Sequence, residues 1–271
     1  MANRILITGA NGFIGSHVVE LLMSKNKEVI ALNEYNSFGS LGWLAELENK
    51  PEIISGDLRD TEFIKNAIAN VDAVVNLAAL IAIPYSYSAG RSYLETNTMG
   101  VLNILEGIRG TSKRFIQIST SEVYGTPLTV PIKENHRINP QSPYAASKAA
   151  ADNFVVSYSN SFDLNTLIVR PFNTYGPRQS LRAIIPTIIS QTFNNLDFIE
   201  VGSLDPKRDL TFVKDTARGI IAALESNLTA ETIQLGTGIS YSIKEIIEMI
   251  FEITGIAKEI KISSERVRPL N

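Results

Sequence analysis

Six short apolar, β-branched runs punctuate the first two-thirds of the chain, at Arg4–Thr8, Glu28–Leu32, Glu52–Ser55, Ala73–Asn76, Arg114–Ile118 and Thr166–Val169. Runs that stay apolar instead of alternating match strands buried on both faces of a parallel sheet. Helical periodicity over 13–24, 61–69, 94–109 and 144–160 lies between them, as parallel strands require crossovers. Crossovers of this kind are right-handed, so the alternation predicts an α/β fold with a doubly wound parallel sheet.

After Arg170-Pro171 the pattern loosens. Helical periodicity returns over 182–194, 213–225 and 242–254, with strand-like pieces at 198–201, 231–235 and 259–262. No repeat or low-complexity linker intervenes. The expected division is a sheet domain over 1–170 and a small α/β substrate-binding cap over 171–271, packed where ligands enter open α/β sheets. The chain stops at Arg268-Pro269-Leu270-Asn271 without a closing helix, so an incomplete C-terminus is expected.

Composition removes several classes of function. Cysteine is absent, which excludes disulfides, thiolate nucleophiles and cysteine zinc sites. The two histidines, His17 and His136, lie far apart and imply no metal site. Net charge is -3 from 25 basic and 28 acidic residues, well mixed, so no basic stripe suits nucleic acid. No uninterrupted apolar run is long enough to span a bilayer, and no secretory leader opens the chain. A cytoplasmic protein is expected.

Ile5-Leu6-Ile7-Thr8 runs directly into Gly9-Ala10-Asn11-Gly12-Phe13-Ile14-Gly15 and then a helix. Glycines three apart at a strand-to-helix turn admit a pyrophosphate, whose charge the free helix N–H groups and dipole then hold. Gly9, Asn11, Gly12, Phe13 and Ile14 are therefore candidate cofactor-binding residues on a Rossmann-type sheet, with Gly15 serving helix packing. The second strand ends in Asn33-Glu34, where a carboxylate for the adenosine ribose is expected; Asn33 is neutral, and Glu34 supplies one if its register is right. No arginine comes at once after it to favour a 2′-phosphate, so NAD is favoured and NADP stays open.

Of nine tyrosines only Tyr144 has a lysine four residues on, Lys148, in Ser142-Pro143-Tyr144-Ala145-Ala146-Ser147-Lys148. That spacing sets both side chains on one helical face. A phenol of ordinary pKa about 10 is a poor base. A neighbouring ammonium and a cationic nicotinamide would lower it, letting Tyr144 take a hydroxyl proton as hydride leaves the same carbon. Ser119-Thr120-Ser121-Glu122 comes directly after the fifth strand, where substrate chemistry belongs, and Thr120 is placed to orient the reacting hydroxyl.

The GxxGxxG turn, Gly56-Asp57-Leu58-Arg59-Asp60 and Asn76-Leu77-Ala78-Ala79 resemble the short-chain dehydrogenase/reductase family. The resemblance implies that Asp57 bonds the adenine amino group, unless it caps the next helix, and that Leu58 covers the ring. It sets Leu77, Ala78 and Ala79 beside the ribose and nicotinamide. Asn97 either supports the tyrosine–lysine relay or caps its helix. Over nearly its whole length the chain resembles the extended, sugar-nucleotide branch, with Arg170-Pro171-Phe172-Asn173-Thr174-Tyr175-Gly176-Pro177-Arg178 and Arg208-Asp209-Leu210-Thr211-Phe212-Val213-Lys214-Asp215 as supporting stretches.

Thr120-Ser121-Glu122 is similar to the Thr-Ser-Glu of GDP-mannose 4,6-dehydratases. By that resemblance Glu122 removes the C5 proton after C4 oxidation and Ser121 helps protonate the departing C6 hydroxyl. Glu34-Tyr35-Asn36-Ser37-Phe38, Gly42-Trp43-Leu44 and the stretch Ala78–Tyr87 resemble 4,6-dehydratases of legionaminic-acid-type pathways, which act on nucleotide-linked N-acetylglucosamine. Tyr85, Asn173, Arg178 and Arg208 are the implied substrate-binding residues, and a homodimer through 94–109 and 144–160 is the implied assembly. Rival expectations are a UDP-glucuronate decarboxylase, a 4-epimerase and, in another class, a non-catalytic cofactor-binding sensor.

Overall fold

The computed structural model describes residues 2–35 and 38–263. Asn36 and Ser37 of the Glu34–Phe38 stretch, and the chain end at 268–271, lie outside the described residues. In chain order the elements are β1 (Arg4–Thr8), α1 (Phe13–Ser24), β2 (Glu28–Glu34), β3 (Glu52–Gly56), α2 (Thr61–Ile68), β4 (Ala73–Asn76), α3 (Ile83–Ser86), α4 (Gly90–Tyr93), α5 (Gly100–Ile108), β5 (Arg114–Ile118) and α6 (Pro143–Phe162). Then come β6 (Thr166–Pro171), β7 (Asn173–Tyr175), α7 (Ile184–Thr192), β8 (Phe198–Val201), β9 (Lys207–Phe212), α8 (Val213–Glu225), β10 (Glu231–Leu235), β11 (Ser240–Ser242), α9 (Ile243–Thr254) and β12 (Glu259–Ile262). The chain divides into two compact units, Met1–Pro171 with Val213–Leu235, and Phe172–Phe212 with Gly236–Asn271.

The first unit is a parallel sheet in the order β10-β6-β5-β4-β1-β2-β3. Its strand reversal at β1/β4 makes it the expected doubly wound sheet. Successive residues of β1 explain why the strand reads apolar throughout. Ile5 and Ile7 pack with Val18, Val19 and Leu22 of α1 and Ala217, Ile220 and Leu224 of α8. Leu6 points the other way, to Ile64 and Ile68 of α2, Ile104 and Leu105 of α5, and Ala151 and Val155 of α6. Burying each such side chain contributes roughly 1.5–3 kcal/mol.

Two expectations need correction. The sheet has seven strands, not six, and the division is not a single cut at 170/171. Residues 213–235, assigned above to the cap, return to the first unit. The apolar side of α8 covers the α1 face of the sheet, and β10 pairs with β6 in the register Thr232↔Ile168. Without β10, the apolar β6 would be an edge with unpaired backbone groups.

Helix 94–109 is also not uniform. Residues Leu94–Met99 form a π-helical turn ahead of α5, a distortion found often at functional positions. By contrast α6 starts as its sequence foretells: Ser142 accepts from the Ala145 N–H and Pro143 occupies the first turn.

The second unit holds the sheet β11-β9-β7 and the pair β12-β8, with Ile188, Ile199, Val201, Ile243, Ile246 and Ile247 as core. The strands β7, β9 and β11 carry no apolar run, which is why periodicity did not reveal them. Ser242 and Glu245 form a capping box on α9, and Gly255 ends that helix at φ +69°.

Candidate active site

The turn between β1 and α1 is a tight one: the Gly12 N–H donates to the Gly9 carbonyl at 3.1 Å. Gly9 sits at φ +63°, and a Cβ there would lie 2.7 Å from the Ala78 nitrogen. Only glycine combines that backbone with that approach. A Cβ on Gly15 would strike the Gly9 carbonyl oxygen at 2.1 Å, in line with its expected packing role. Gly12 is different. A Cβ there meets only the Gly9 carbonyl, at 3.3 Å, and no side chain caps α1. The first N–H groups of this twelve-residue helix are thus left without a side-chain acceptor, which fits a cofactor pyrophosphate.

The flanks of the turn are braced by amides. Asn11 Nδ2 donates to Asn33 Oδ1, and Asn33 Nδ2 to the Ser40 carbonyl at 3.2 Å. Asn33 is therefore buried and committed within the protein, whereas Glu34, paired in register with Gly56, ends β2 exposed. Across the strand ends, Thr8 Oγ1 donates to Asn76 Oδ1 and accepts from the Ala78 N–H at 3.1 Å, while Asn76 Nδ2 donates to Gln117 at 2.9 Å. This buried polar chain sets Leu77, Ala78 and Ala79 against the glycine turn.

Asp57 does not cap α2; Asp60 does, accepting from the Phe63 N–H. Asp57 instead takes the Arg59 backbone N–H at 2.8 Å and its guanidinium, which together hold the carboxyl below its usual range against the opposing effect of burial. An open cavity of about 490 Å³ is lined here by Asp57, Arg59, Asp60, Glu95 and Met99. Leu58 turns inward, packs in the α2–α5 core and is 5% exposed, so little of its side chain remains to cover a ring.

Thr120, Ser121, Glu122, Tyr144 and Lys148 gather at the carboxyl end of β5 and the start of α6. Thr120 caps the 3₁₀ turn Ser121–Tyr124 through the Glu122 N–H at 3.2 Å, and its side chain favours the ionised form of the Tyr144 hydroxyl. Glu122 and Ser121 stand half-buried in that turn. Burial pushes the Tyr144 phenol up to about 12; Thr120 opposes this, and the negative field of Glu122 adds to it. The ammonium of Lys148 donates to the Ile118 carbonyl at 2.7 Å, and burial pushes it down to about 8. Desolvation thus dominates at Tyr144, and the lowering expected from the Lys148 ammonium does not offset it.

Asn97 is fully buried and caps nothing. It accepts from the Leu80 N–H at 2.8 Å and donates to the Leu80 carbonyl at 3.0 Å and to Ser147 Oγ at 2.9 Å. The π-helical turn thereby ties the segment after β4 to the turn that carries Tyr144 and Lys148. Exposed Tyr85 stacks toward Tyr93 at 6.2 Å, and Tyr93 meets Tyr144 edge-on at 6.3 Å. In the second unit, Asn173 opens β7 and Arg208 lies on the neighbouring β9; Arg178 sits in the left-handed region at φ +71°.

Sequence reasoning missed the groups behind the pair: Ser119, Asp152, Arg170, Tyr124 and Gln234. Asp152 was within reach, being four residues past Lys148 on the same helical face. Among the described residues no cluster of His, Asp or Glu is placed to hold a metal, and no helix is long and apolar enough to cross a membrane.

Comparison with known proteins agrees with this geometry. Residues 6–269 match the family model for GDP-mannose 4,6-dehydratase. The low-salt glycan biosynthesis protein Agl12 of Haloferax volcanii is 33% identical, over 93% of this chain and 82% of its own length. A dTDP-glucose 4,6-dehydratase of an Actinoplanes species is 32% identical with the same coverage. The crystal structure of Thermus thermophilus UDP-glucose 4-epimerase, a complex with NAD, superposes with a TM-score of 0.86 at 29% identity, covering 96% of this chain and 86% of that one. The chain belongs to the GDP-mannose 4,6-dehydratase family, within the extended short-chain dehydrogenases/reductases of sugar nucleotides.

Proposed function

We propose that the protein is an NAD-dependent sugar-nucleotide 4,6-dehydratase, with a nucleotide-linked N-acetylglucosamine or related hexose as substrate. One observation carries this reading: Thr120, which caps the turn holding Ser121 and Glu122, acts together with Glu122 on the buried Tyr144 hydroxyl at the end of β5. When bound, NAD supplies the hydride acceptor for C4 and returns that hydride at C6, so the overall reaction is redox-neutral. Gly9, Asn11, Gly12, Phe13 and Ile14 would hold its pyrophosphate, Glu34 the ribose, and Asp57 the adenine.

Thr120 orients the sugar hydroxyl at C4 and Tyr144 takes its proton. The ketone formed there makes the C5 proton acidic, and the Glu122 carboxylate removes it. Ser121 assists protonation of the C6 hydroxyl, which leaves as water. Asn173, Arg178 and Arg208 are assigned to the two phosphates, for which a guanidinium is suited in charge and fork geometry. Tyr85 is assigned to the sugar. A homodimer through α5 and α6, in the cytoplasm, completes the proposal.

A 4-epimerase is the second reading, favoured by the structural likeness to the Thermus enzyme. Incubation with UDP-, GDP-, CDP- and dTDP-hexoses, with mass spectrometry of the products, separates the readings. Loss of one water supports the dehydratase. An unchanged mass with inverted C4 would establish the epimerase, and loss of carbon dioxide from a uronate the decarboxylase. No conversion of any of these by folded, NAD-loaded protein would overturn the proposal.

A further inference from the structure

Tyr144, Lys148 and Asp152 succeed one another at four-residue steps along α6 and so share a face. Asp152 is 3% exposed. Its Oδ2 accepts from Ser119 Oγ at 2.8 Å, from Arg170 Nε at 3.0 Å and from Arg170 Nη2 at 2.9 Å. Its Oδ1 is buried with no hydrogen-bond partner among the described residues. The Arg170 guanidinium continues to the Tyr124 hydroxyl at 3.0 Å, to which Gln234 Nε2 also donates at 2.9 Å.

For an ion pair alone this is an uneconomical arrangement. A carboxylate serving only Arg170 would meet it with both oxygens. Here three donors converge on one oxygen, and the other is left in the interior without a partner, a costly state for a charge. Three charged groups then share one interior: Lys148, Asp152 and Arg170. Removal of the carboxylate would leave two buried cations with no counter-charge.

We propose that Asp152 is a positioning residue for the reaction: it keeps the Lys148 ammonium charged beneath Tyr144, and Ser119 and Arg170 keep Asp152 ionised for that purpose. The inference rests on the reading of Tyr144 and Lys148 as the catalytic pair. The charge relations agree with it. Burial drives Lys148 down, and Asp152 is the group that opposes this. Burial likewise drives Asp152 up, opposed first by Arg170, then by Ser119 and Lys148. The other titratable groups about the pair are Tyr144 on α6, Tyr93 on α4, Glu122 in the turn after β5 and Arg170 on β6; Glu122, Tyr93 and Asp152 all act on Tyr144.

The test reads Lys148 itself, in protein without substrate, by carbon NMR of ε-labelled lysine across pH, with Lys148→Met assigning the signal. Asp152→Asn should move the Lys148 midpoint down by about one pH unit or more, and Asp152→Glu should restore most of it. The alkaline limb of kcat/KM should move with the midpoint. A Lys148 midpoint unchanged in folded Asp152→Asn, even with activity lost, overturns the proposal. Should Asp152→Asn fail to fold, the wild-type carboxyl carbon decides: Asp152 must report as carboxylate at pH 7, and a protonated acid there overturns it. Because the titration needs no turnover, failure of this inference is distinct from failure of the dehydratase reading.

Discussion

Asn97 Nδ2 donates to Ser147 Oγ at 2.9 Å, across the interior from the π-helical turn to α6. The same amide also satisfies both the N–H and the carbonyl of Leu80. One side chain thus fixes the segment after β4, the distorted turn and the first turn of α6 relative to one another.

Asn97→Ala leaves the part-buried N–H and carbonyl of Leu80 without their side-chain partner, while Ser147 Oγ keeps its bond to the Tyr144 carbonyl. Each unsatisfied group costs about 1–3 kcal/mol, so a loss of about 3 kcal/mol is expected in urea unfolding. Equal stability of Asn97→Ala and wild type would show that the three bonds do not hold the site.

Gly12 and Gly15 should separate binding from folding. A Cβ at Gly15 strikes the Gly9 carbonyl, whereas one at Gly12 meets only a contact at 3.3 Å. Gly15→Ala is expected to lower the melting temperature sharply. Gly12→Ala should fold nearly normally and weaken NAD by about tenfold in calorimetric titration, equivalent to about 1.4 kcal/mol. Undiminished affinity in Gly12→Ala would remove the pyrophosphate from this turn.

Tyr144→Phe keeps the ring against Tyr93 and removes the proton acceptor. Loss of kcat by about 10²–10⁴-fold is expected, the usual worth of a positioned acid or base, with near-normal substrate binding. Turnover at the wild-type rate would dismiss the catalytic assignment.

Glu122→Gln divides the reaction in two. It should still exchange hydrogen at C4 with the cofactor, monitored with C4-deuterated substrate, but take up no solvent deuterium at C5 and release no water. Normal dehydration by this variant would transfer the base role elsewhere. With one negative neighbour gone, Tyr144 should also titrate lower than in the wild type, where Glu122 raises it.

Stability against pH carries the signature of Lys148. Its folded value lies near 8, below the ordinary 10.5. Between these values the unfolded chain binds the proton and the folded chain does not, so this group makes stability rise with pH from about 8 to 10.5. Tyr144 acts in the opposite sense and higher: raised from 10 to about 12, it favours the folded state below pH 10 and loses that contribution as pH climbs through 12. The pH 8–10 slope of unfolding free energy should therefore be shallower in Lys148→Met than in the wild type. An identical slope would mean that Lys148 is not desolvated.

The sheet was legible in the chain because β1, β2, β4, β5 and β6 are largely buried, which demands continuous apolar runs and leaves helices to fill the gaps. The glycine turn and the Tyr144–Lys148 pair were legible for a related reason: both are local, one set by backbone sterics and one by helical pitch. Residues 231–235 looked like a strand, but nothing local said whose neighbour it was; pairing with β6 is a long-range choice, settled by an apolar edge that needed covering. The weak strands β7, β9 and β11 were invisible because their support comes from partners distant in sequence. The same holds for charge. That Lys148 lies near 8 and Tyr144 near 12, and that Asp152 and Arg170 stand behind them, results from burial and through-space neighbours, which a linear order of residues does not contain.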